Sequence, residues 1–171
     1  TVTKLHAYID NLRDYYLLRR GELLLTEIDF NQLLSDIEDF YRMYTANHDV
    51  NFNIHIDQTF AFKCDRSLLE LILHNLLSNA FKYQRANATH KKVELSVSIS
   101  RGLATITISD TGIGIPPDSV QNIFKIFYRA TNQAQGMGFG LYNVYGAIKK
   151  LNGTSDVQSN LGQGTTFKLV I

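Results

Sequence analysis

The chain has a single cysteine, Cys64, among its 171 residues. One cysteine excludes an intrachain disulfide and a zinc site built from several thiolates. Sparing use of cysteine is typical of a reducing compartment, so we expect this part of the protein to be cytoplasmic, with membrane anchoring of the parent protein left open. No apolar run approaches the ~20 residues that span a bilayer, and no signal peptide is evident.

The chain also has no large excess of charge of either sign. The 17 Lys and Arg residues against 16 Asp and Glu residues leave a formal net charge of +1. So small a net charge excludes a strong field directed at nucleic acid, and we expect no direct membrane contact either. Internal repeats and low-complexity segments are absent. The length and the 44% hydrophobic content predict one globular domain with a short appendage.

The chain is organised around the stretch from Leu68 to Tyr83, which reads LLELILHNLLSNAFKY. It has no Pro or Gly, and its Leu and Ile residues recur at helical spacing, so the pattern predicts a helix. Asn75, Asn79 and Lys82 stand at i, i+4 and i+7 and therefore share a narrow face. One interpretation is a polar stripe in water, because burying such groups without partners costs ~1–3 kcal/mol each.

Three glycine-rich segments further along favour a nucleotide site instead. Asp110 is followed by TGIG, where a carboxylate can accept from an exocyclic amine and glycines admit a flat ring. Residues 136–141 (GMGFGL) precede a predicted helix, whose first N–H groups can hold phosphate. Residues 162–167 (GQGTTF) form a predicted hairpin turn. Taken alone, the first segment is explained as well by an ordinary turn, the second by a flexible hinge, and the third means only a turn. No standard nucleotide fingerprint fits.

The remaining patterns predict an α+β chain. Helices are predicted over residues 1–20, 31–47 and 139–151, with a short helix that begins at Pro117. The first has a heptad-like seam of Leu5, Ile9, Leu12 and Tyr16, and the second is capped by Asn31. The short helix carries Ile123, Phe124, Ile126 and Phe127. Predicted strands cover residues 23–29, 51–57, 59–64, 93–100, 103–109, 154–159 and 165–171, and a mobile loop covers 129–138. The strand at 59–64 is predicted to be the neighbour of the strand at 51–57. This order predicts a two-layer α/β sandwich whose mixed, mostly antiparallel sheet is covered on one face by about three helices.

Taken together, these segments resemble the catalytic ATP-binding domain of sensor histidine kinases, within the superfamily of gyrase-type, heat-shock-90-type and mismatch-repair ATPases. The resemblance covers about residues 25–171 and implies a Bergerat-type ATP-binding fold. Its N-box corresponds to HNLLSNAFKY and its F-box to IFKIFYRA. Its three glycine boxes correspond to DTGIGIP, GMGFGL and GQGTTF.

The resemblance implies a site for ATP and Mg²⁺. Asn79 would ligate Mg²⁺ through its amide oxygen, with Asn75 beside it near the phosphates and Lys82 offsetting phosphate charge. Mg²⁺ prefers hard oxygens and keeps waters and substrate phosphates, so few protein ligands are expected. Asp110 would read the adenine amine. The other positions implied to surround the nucleoside are Tyr83, Gly112, Gly114, Ile115, Ile123 and Thr165.

The resemblance also implies a lid over the phosphates. Tyr128 and Arg129 would lie at its base, with Arg129 reaching the phosphates or the phosphoryl acceptor. The second glycine box would cradle the triphosphate through Gly138, Phe139, Gly140 and Leu141. Two positions depart from the family pattern, which commonly has Leu at Phe139 and Thr or Ser at Met137, so a hydroxyl contact is lost. The catalytic candidates are Asn75, Lys82 and Arg129.

Hydrolases of this superfamily place a Glu one helical turn before the magnesium Asn, where this chain has Asn75. An amide cannot take a proton from water, which favours a kinase whose acceptor lies elsewhere. None of His6, His48, His55, His74 or His90 lies in a His-Glu or His-Asp motif with a downstream Pro.

We therefore expect the ATP-binding catalytic domain of a two-component sensor histidine kinase. It would donate the γ-phosphoryl to a histidine on a dimerisation domain, with a response regulator as a further partner. The chain opens at Thr1 without Met, and we interpret residues 1–21 as the end of the second helix of a truncated dimerisation domain and 22–171 as the catalytic domain. Such a fragment would not autophosphorylate. Alternatives are an ATP-hydrolysing or serine-phosphorylating member, or a degenerate nucleotide-binding scaffold.

Overall fold

The computed structural model describes residues 13–131 and 138–171. Residues 13–19 are helical and are called here the leading helix. The elements after it are β1 (Leu25–Glu27), α1 (Phe30–His48), β2 (Val50–Asp57), β3 (Lys63–Asp65), α2 (Arg66–Lys82), β4 (Lys91–Ser100), β5 (Leu103–Asp110), α3 (Pro117–Val120), α4 (Gly140–Lys150), β6 (Thr154–Asn160) and β7 (Gly164–Val170).

The main sheet has five strands in the order β2-β4-β5-β7-β6. Its β2–β4 pair is parallel and the other pairs are antiparallel, so the predicted mixed, mostly antiparallel sheet is confirmed. The Arg101-Gly102 connection between β4 and β5 has φ values of 52° and 77°, as a tight hairpin with two left-handed residues requires.

The predicted pairing of residues 59–64 with 51–57 is wrong. Strand β3 instead pairs antiparallel with β1 in a separate two-stranded sheet. The side chain of Gln58 explains the departure, because it accepts from Phe30 N–H at 2.9 Å and donates to Ile28 O at 2.7 Å. Ile28 N–H in turn donates to Phe62 O at 2.8 Å. These bonds hold the loop after β2 against the β1–α1 connection, away from the main sheet.

Helix α2 lies at the centre of the core. Because apolar residues surround most of its circumference, it packs between the sheet and the neighbouring helices. Tyr41 and Tyr44 of α1 donate their hydroxyls to α2 carbonyl oxygens, at 3.3 Å and 3.1 Å. The buried α2 residues are Leu68, Leu69, Leu71, Ile72, Leu73, Leu76, Leu77, Ala80 and Phe81.

The helix ends follow from local polar residues. Asp65 caps α2 by accepting from Leu68 N–H at 3.3 Å, as the sequence predicts. The predicted cap of α1 at Asn31 is wrong, because Asp29 accepts from the N–H groups of Asn31 and Gln32. Helix α3 ends at Val120, so the apolar residues assigned to it lie in the turns that follow: Ile123, Phe124, Ile126 and Phe127.

The leading helix docks on α4. The Nζ of Lys150 donates to the carbonyl oxygens of Leu17, Leu18 and Arg20, which end the leading helix. Leu5, Ile9 and Leu12 of the predicted seam lie outside the described residues, and Tyr16 is 67% exposed. Within residues 13–131 and 138–171, no helix combines the length and apolarity needed to cross a membrane.

Candidate functional site

The polar face of α2 carries Asn75, Asn79 and Lys82, all half-buried. Asn75 donates its Nδ2 to Leu71 O at 2.9 Å. A Cβ placed on Gly140 would lie 2.8 Å from Asn75 Oδ1, so the first residue of α4 approaches this amide closely. Asn75 therefore faces α4, and the interpretation of its face as a simple water-exposed stripe does not describe this residue.

Asp110 ends β5 beside the C-terminal end of α2. Its Oδ1 accepts from Gly112 N–H at 2.7 Å, and its carboxyl also accepts from the backbone N–H of Thr165 on β7. Burial raises the pKa of Asp110 from its ordinary 3.8 to about 6, although both hydrogen bonds oppose the rise. A half-buried carboxylate at the end of a strand is well placed to accept a hydrogen bond from a ligand amine.

The first and third glycine boxes form one unit around this carboxyl group. Ile113 N–H donates to the carbonyl of Tyr83 at 2.9 Å, and Gly162 N–H donates to the carbonyl of Ile113 at 2.7 Å. Gly114 has a φ of +69° and touches the backbone of Asn160, where any side chain would collide. The structure thus brings Tyr83, Gly112, Gly114 and Thr165 together, as the resemblance implies.

Ser159 of β6 completes this unit. Its Oγ accepts from the N–H of Ile115 at 2.8 Å and lies 2.9 Å from Oγ1 of Thr165. The sequence did not point to Ser159, since a serine in an alternating strand carries no distinguishing signal. These bonds tie the backbone of Ile115, whose side chain is half-buried, to β6. Ile123 is buried in the turns after α3.

Positive charge collects beside Tyr83. Burial lowers the pKa of Lys82, and the nearby charge of Arg129 lowers it further. Burial raises the pKa of the Tyr83 hydroxyl, and Arg129 opposes that rise. Lys82 Nζ also lies 5.2 Å from the centroid of the Tyr83 ring. Lys82 is half-buried and Arg129 is exposed, and two cations this close to one another favour an anion between them.

The F-box and the second glycine box meet at Phe127 and Gly138. Phe127 N–H donates to Gly138 O at 3.1 Å, and the Phe127 and Phe139 rings meet edge to face with centroids 4.8 Å apart. Gly138 has a φ of +76°, and a Cβ there would lie 2.7 Å from the Phe127 backbone. These contacts fix both ends of the predicted lid, whose residues 132–137, Met137 included, lie outside the described residues.

Three further predicted residues have structural partners of their own. The Tyr128 hydroxyl donates to Ser119 Oγ at 2.9 Å, which ties the start of the predicted lid to α3. Leu141 is half-buried and packs against the core at the start of α4. The main-chain carbonyl of Asn79 accepts a hydrogen bond from Tyr83 N–H at 3.0 Å, and the Asn79 side chain is half-buried.

The first and second glycine boxes contact α2 at different points along its length. Gly140 approaches Asn75, whereas Gly112 approaches Tyr83, and eight residues of helix separate these points by roughly 12 Å. One end therefore offers a carboxylate among glycines, and the other offers an amide at the N-terminus of a helix, which favours anions. Asn79 lies between them, and its amide oxygen is the hard donor that Mg²⁺ prefers. The residues present thus fit a magnesium-bound polyphosphate.

Two buried polar residues near Asn75 escaped sequence reasoning. Asn143 lies on the apolar side of α4 with Val144 and Ala147, and a polar residue in that stripe was a usable signal. Asp14 of the leading helix gave no signal, because its partner Asn143 is 129 residues away in sequence.

Comparison with known proteins relates the sequence of this chain to a family of ATPases. Residues 64–171 match the family model described as histidine kinase-, DNA gyrase B- and HSP90-like ATPase. The autoinducer 2 sensor kinase/phosphatase LuxQ of Vibrio vulnificus is 32% identical over 96% of this chain, and the sensor histidine kinase RppB of Synechocystis is 32% identical over 92%. The chain spans 20% of the length of that LuxQ and 36% of RppB.

Solved structures share the fold. Full-length ShkA in complex with AMPPNP superposes over 98% of this chain and 35% of its own with a TM-score of 0.82 at 24% identity. The mycobacterial sensor histidine kinase MprB superposes over 86% of this chain and 97% of its own, with a TM-score of 0.72 at 25% identity.

Proposed function

The chain belongs to the family of histidine kinase-, DNA gyrase B- and HSP90-like ATPases, and we propose that it binds Mg-ATP and donates the γ-phosphoryl group to a histidine on another part of its parent protein. One observation carries the proposal. At the C-terminal end of α2 a carboxylate is set among glycines, and about two turns earlier, in the middle of α2, the Asn75 amide meets Gly140, which starts α4. Lys82 and Arg129 bring two cations beside Tyr83.

The adenine end is built around Asp110. Its ionised carboxyl, positioned by the N–H groups of Gly112 and Thr165, would accept a hydrogen bond from the adenine amine. The absence of side chains at Gly112 and Gly114 keeps the backbone of the first glycine box close to Tyr83 and to the β6–β7 hairpin. The Tyr83 ring would lie against the nucleoside.

The phosphate end would be held by Asn79, Lys82 and the second glycine box. Bound Mg²⁺ would neutralise phosphate charge, and the amide oxygen of Asn79 is the protein ligand that we assign to it. Lys82 and Arg129 would offset the charge that develops on the transferred phosphoryl group. The start of α4 at Gly140 would add N–H groups directed at the phosphates.

Transfer to a protein acceptor fits this site better than hydrolysis. Asn75 occupies the position from which superfamily hydrolases activate water, and its amide already donates to Leu71 O. Phosphoryl transfer to an aligned acceptor needs chiefly positioning and charge neutralisation. We propose a dimerisation domain that supplies the acceptor histidine, a response regulator downstream, and a cytoplasmic location. Residues 1–21 would be the end of that dimerisation domain.

Calorimetry on the 171-residue chain tests the nucleotide site. Asn79→Ala removes the proposed ligand and Asn79→Asp places a charge beside the phosphates, so both should weaken Mg-ATP binding by about tenfold or more. The thermal midpoint of the ligand-free protein should change little. Ser78→Ala, at the next, exposed position of α2, is the matched control and should bind as the unmodified chain does.

Two outcomes would count against the proposal. Equal losses of stability and affinity in the Asn79 variants would make Asn79 a structural residue. No magnesium-dependent nucleotide binding by the unmodified chain would favour the degenerate scaffold.

A further inference from the structure

The leading helix reaches the nucleotide site through one buried carboxylate. Asp14 is 5% exposed, and it accepts a hydrogen bond from Asn143 Nδ2 of α4 at 3.4 Å. The side chain of Asn75 on α2 is also close to this carboxyl group and favours its charged form. The exposed guanidinium of Arg13 lies 3.5 Å away. The carboxyl group of Asp14 therefore joins three separate elements.

These contacts orient the Asn75 amide. One of its N–H groups donates to Leu71 O at 2.9 Å, and the amide also lies close enough to the Asp14 carboxyl group to stabilise its charge. The amide oxygen faces Gly140, where a Cβ would lie 2.8 Å from it. Without Asp14 the amide could rotate, and the closest approach between α2 and the start of α4 would no longer be fixed.

The docking of the leading helix has its own anchors away from this amide. Lys150 binds three carbonyl oxygens at the end of the leading helix, and Leu18 packs against Gly146. Arg20 forms an ion pair with Asp65, the residue that caps α2. The leading helix is thus held to the beginning of α2 and to the end of α4 at once.

We propose that Asp14 is a positioning residue for the phosphate end of the nucleotide site. It acts through Asn75 and Asn143, so nucleotide affinity depends on whether the leading helix is docked. The inference rests on the proposed function, because it assigns a control element to that same site. The position of the chain segment before residue 13 would thereby be communicated to the phosphates of ATP.

The test is calorimetry on the 171-residue chain with Mg-AMPPNP and with adenosine. Asp14→Asn keeps the size of the side chain but turns an N–H donor toward the two amides. We expect Mg-AMPPNP to bind about tenfold more weakly, as for loss of an outer-shell partner, and adenosine to bind within about twofold of the unmodified chain. Asp39→Asn, on the exposed face of α1, has the same charge change and should alter neither affinity.

A rescue separates positioning from general stability. The double variant Asp14→Asn with Asn143→Asp exchanges carboxylate and amide across the same contact and should recover most of the Mg-AMPPNP affinity. If Asp14→Asn does not fold, Asn143→Ser removes one donor and should weaken Mg-AMPPNP binding selectively. Unchanged Mg-AMPPNP affinity, or equal losses for both ligands, would overturn the inference while leaving the proposed function intact. Failure of the unmodified chain to bind Mg-AMPPNP would refute the proposed function itself.

Discussion

Asp110 faces opposing demands from folding and from binding. Its burial raises its pKa to about 6, so the folded protein holds a proton there more tightly than the unfolded chain does. Between pH 3.8 and about 6, unfolding therefore releases a proton, and the stability contributed by Asp110 falls as pH rises through this window. The proposed adenine contact needs the ionised form, which predominates above the window. At neutral pH the ionised Asp110 carboxyl therefore destabilises the fold but is the form that the proposed adenine contact requires.

Replacing Asp110 by Asn should separate the two demands. The neutral amide avoids the buried charge, so we expect the free energy of unfolding at neutral pH to increase by on the order of 1–3 kcal/mol. The gain should disappear as pH falls to 3.8, where the native carboxyl is protonated as well. Thermal unfolding across this pH range measures the difference, and equal midpoints at neutral pH would contradict it.

The same substitution should weaken nucleotide binding. An Asn side chain can present an N–H donor to the adenine amine, and loss of a hydrogen bond to a charged group costs roughly 1.5–3 kcal/mol, or about 10- to 100-fold in affinity. In the unmodified protein the affinity for Mg-ATP should fall as pH drops below about 6, whereas the variant should lack this step. A pH-independent affinity in the unmodified chain would exclude Asp110 as the adenine contact.

The glycines of the first and second boxes have different structural roles. Gly114 packs backbone against backbone with Asn160 and has a left-handed φ, so it belongs to the joint between the first box and the β6–β7 hairpin. Gly140 instead meets only the end of a side chain, Asn75 Oδ1, at the start of α4. The first kind of glycine holds elements together, and the second adjusts the site.

Alanine at these two positions should have opposite consequences. Gly114→Ala should destabilise the fold, by roughly 1–2 kcal/mol for the left-handed backbone alone and more for the collision with Asn160. Gly140→Ala should leave the thermal midpoint unchanged or slightly higher, because Ala favours helix, while displacing Asn75 and weakening Mg-ATP binding. Thermal unfolding and calorimetry on both variants decide this, and loss of fold in Gly140→Ala would contradict the distinction.

In the molecule as a whole, the proposed nucleotide site lies along α2, which packs against both the sheet and α4, and the leading helix docks on α4. The chain spans 20% of the length of LuxQ and 36% of that of RppB, and we propose that the acceptor histidine and the nucleotide site lie on different parts of the parent protein. This division leads to a prediction about phosphorylation by the isolated chain.

The 171-residue chain should bind labelled ATP without labelling itself. Addition of a dimerisation fragment that carries the acceptor histidine should produce acid-labile, alkali-stable phosphoprotein on that fragment. Acid-labile label on the 171-residue chain alone would contradict the prediction. Steady release of inorganic phosphate by the chain alone would favour the ATP-hydrolysing alternative, because Asn75 would then not prevent activation of water.

The sequence by itself determined the family, the central helix and the main sheet. Apolar periodicity and the glycine boxes depend on local spacing, so they can be recognised without coordinates, and the predicted fold and ATPase family are confirmed. The prediction that residues 59–64 lie beside β2 was wrong, because the side chain of Gln58 bonds to the β1–α1 connection and keeps β3 away from the main sheet.

Only the tertiary structure decided which polar groups face one another. Whether Asn75 meets water or α4 depends on the packing of helices that lie far apart in sequence. The bond between Asp14 and Asn143 spans 129 residues and leaves no periodic trace in either helix. Long-range contacts of this kind are set by how the core closes, because each element's own pattern specifies which face is buried but not which partner it meets.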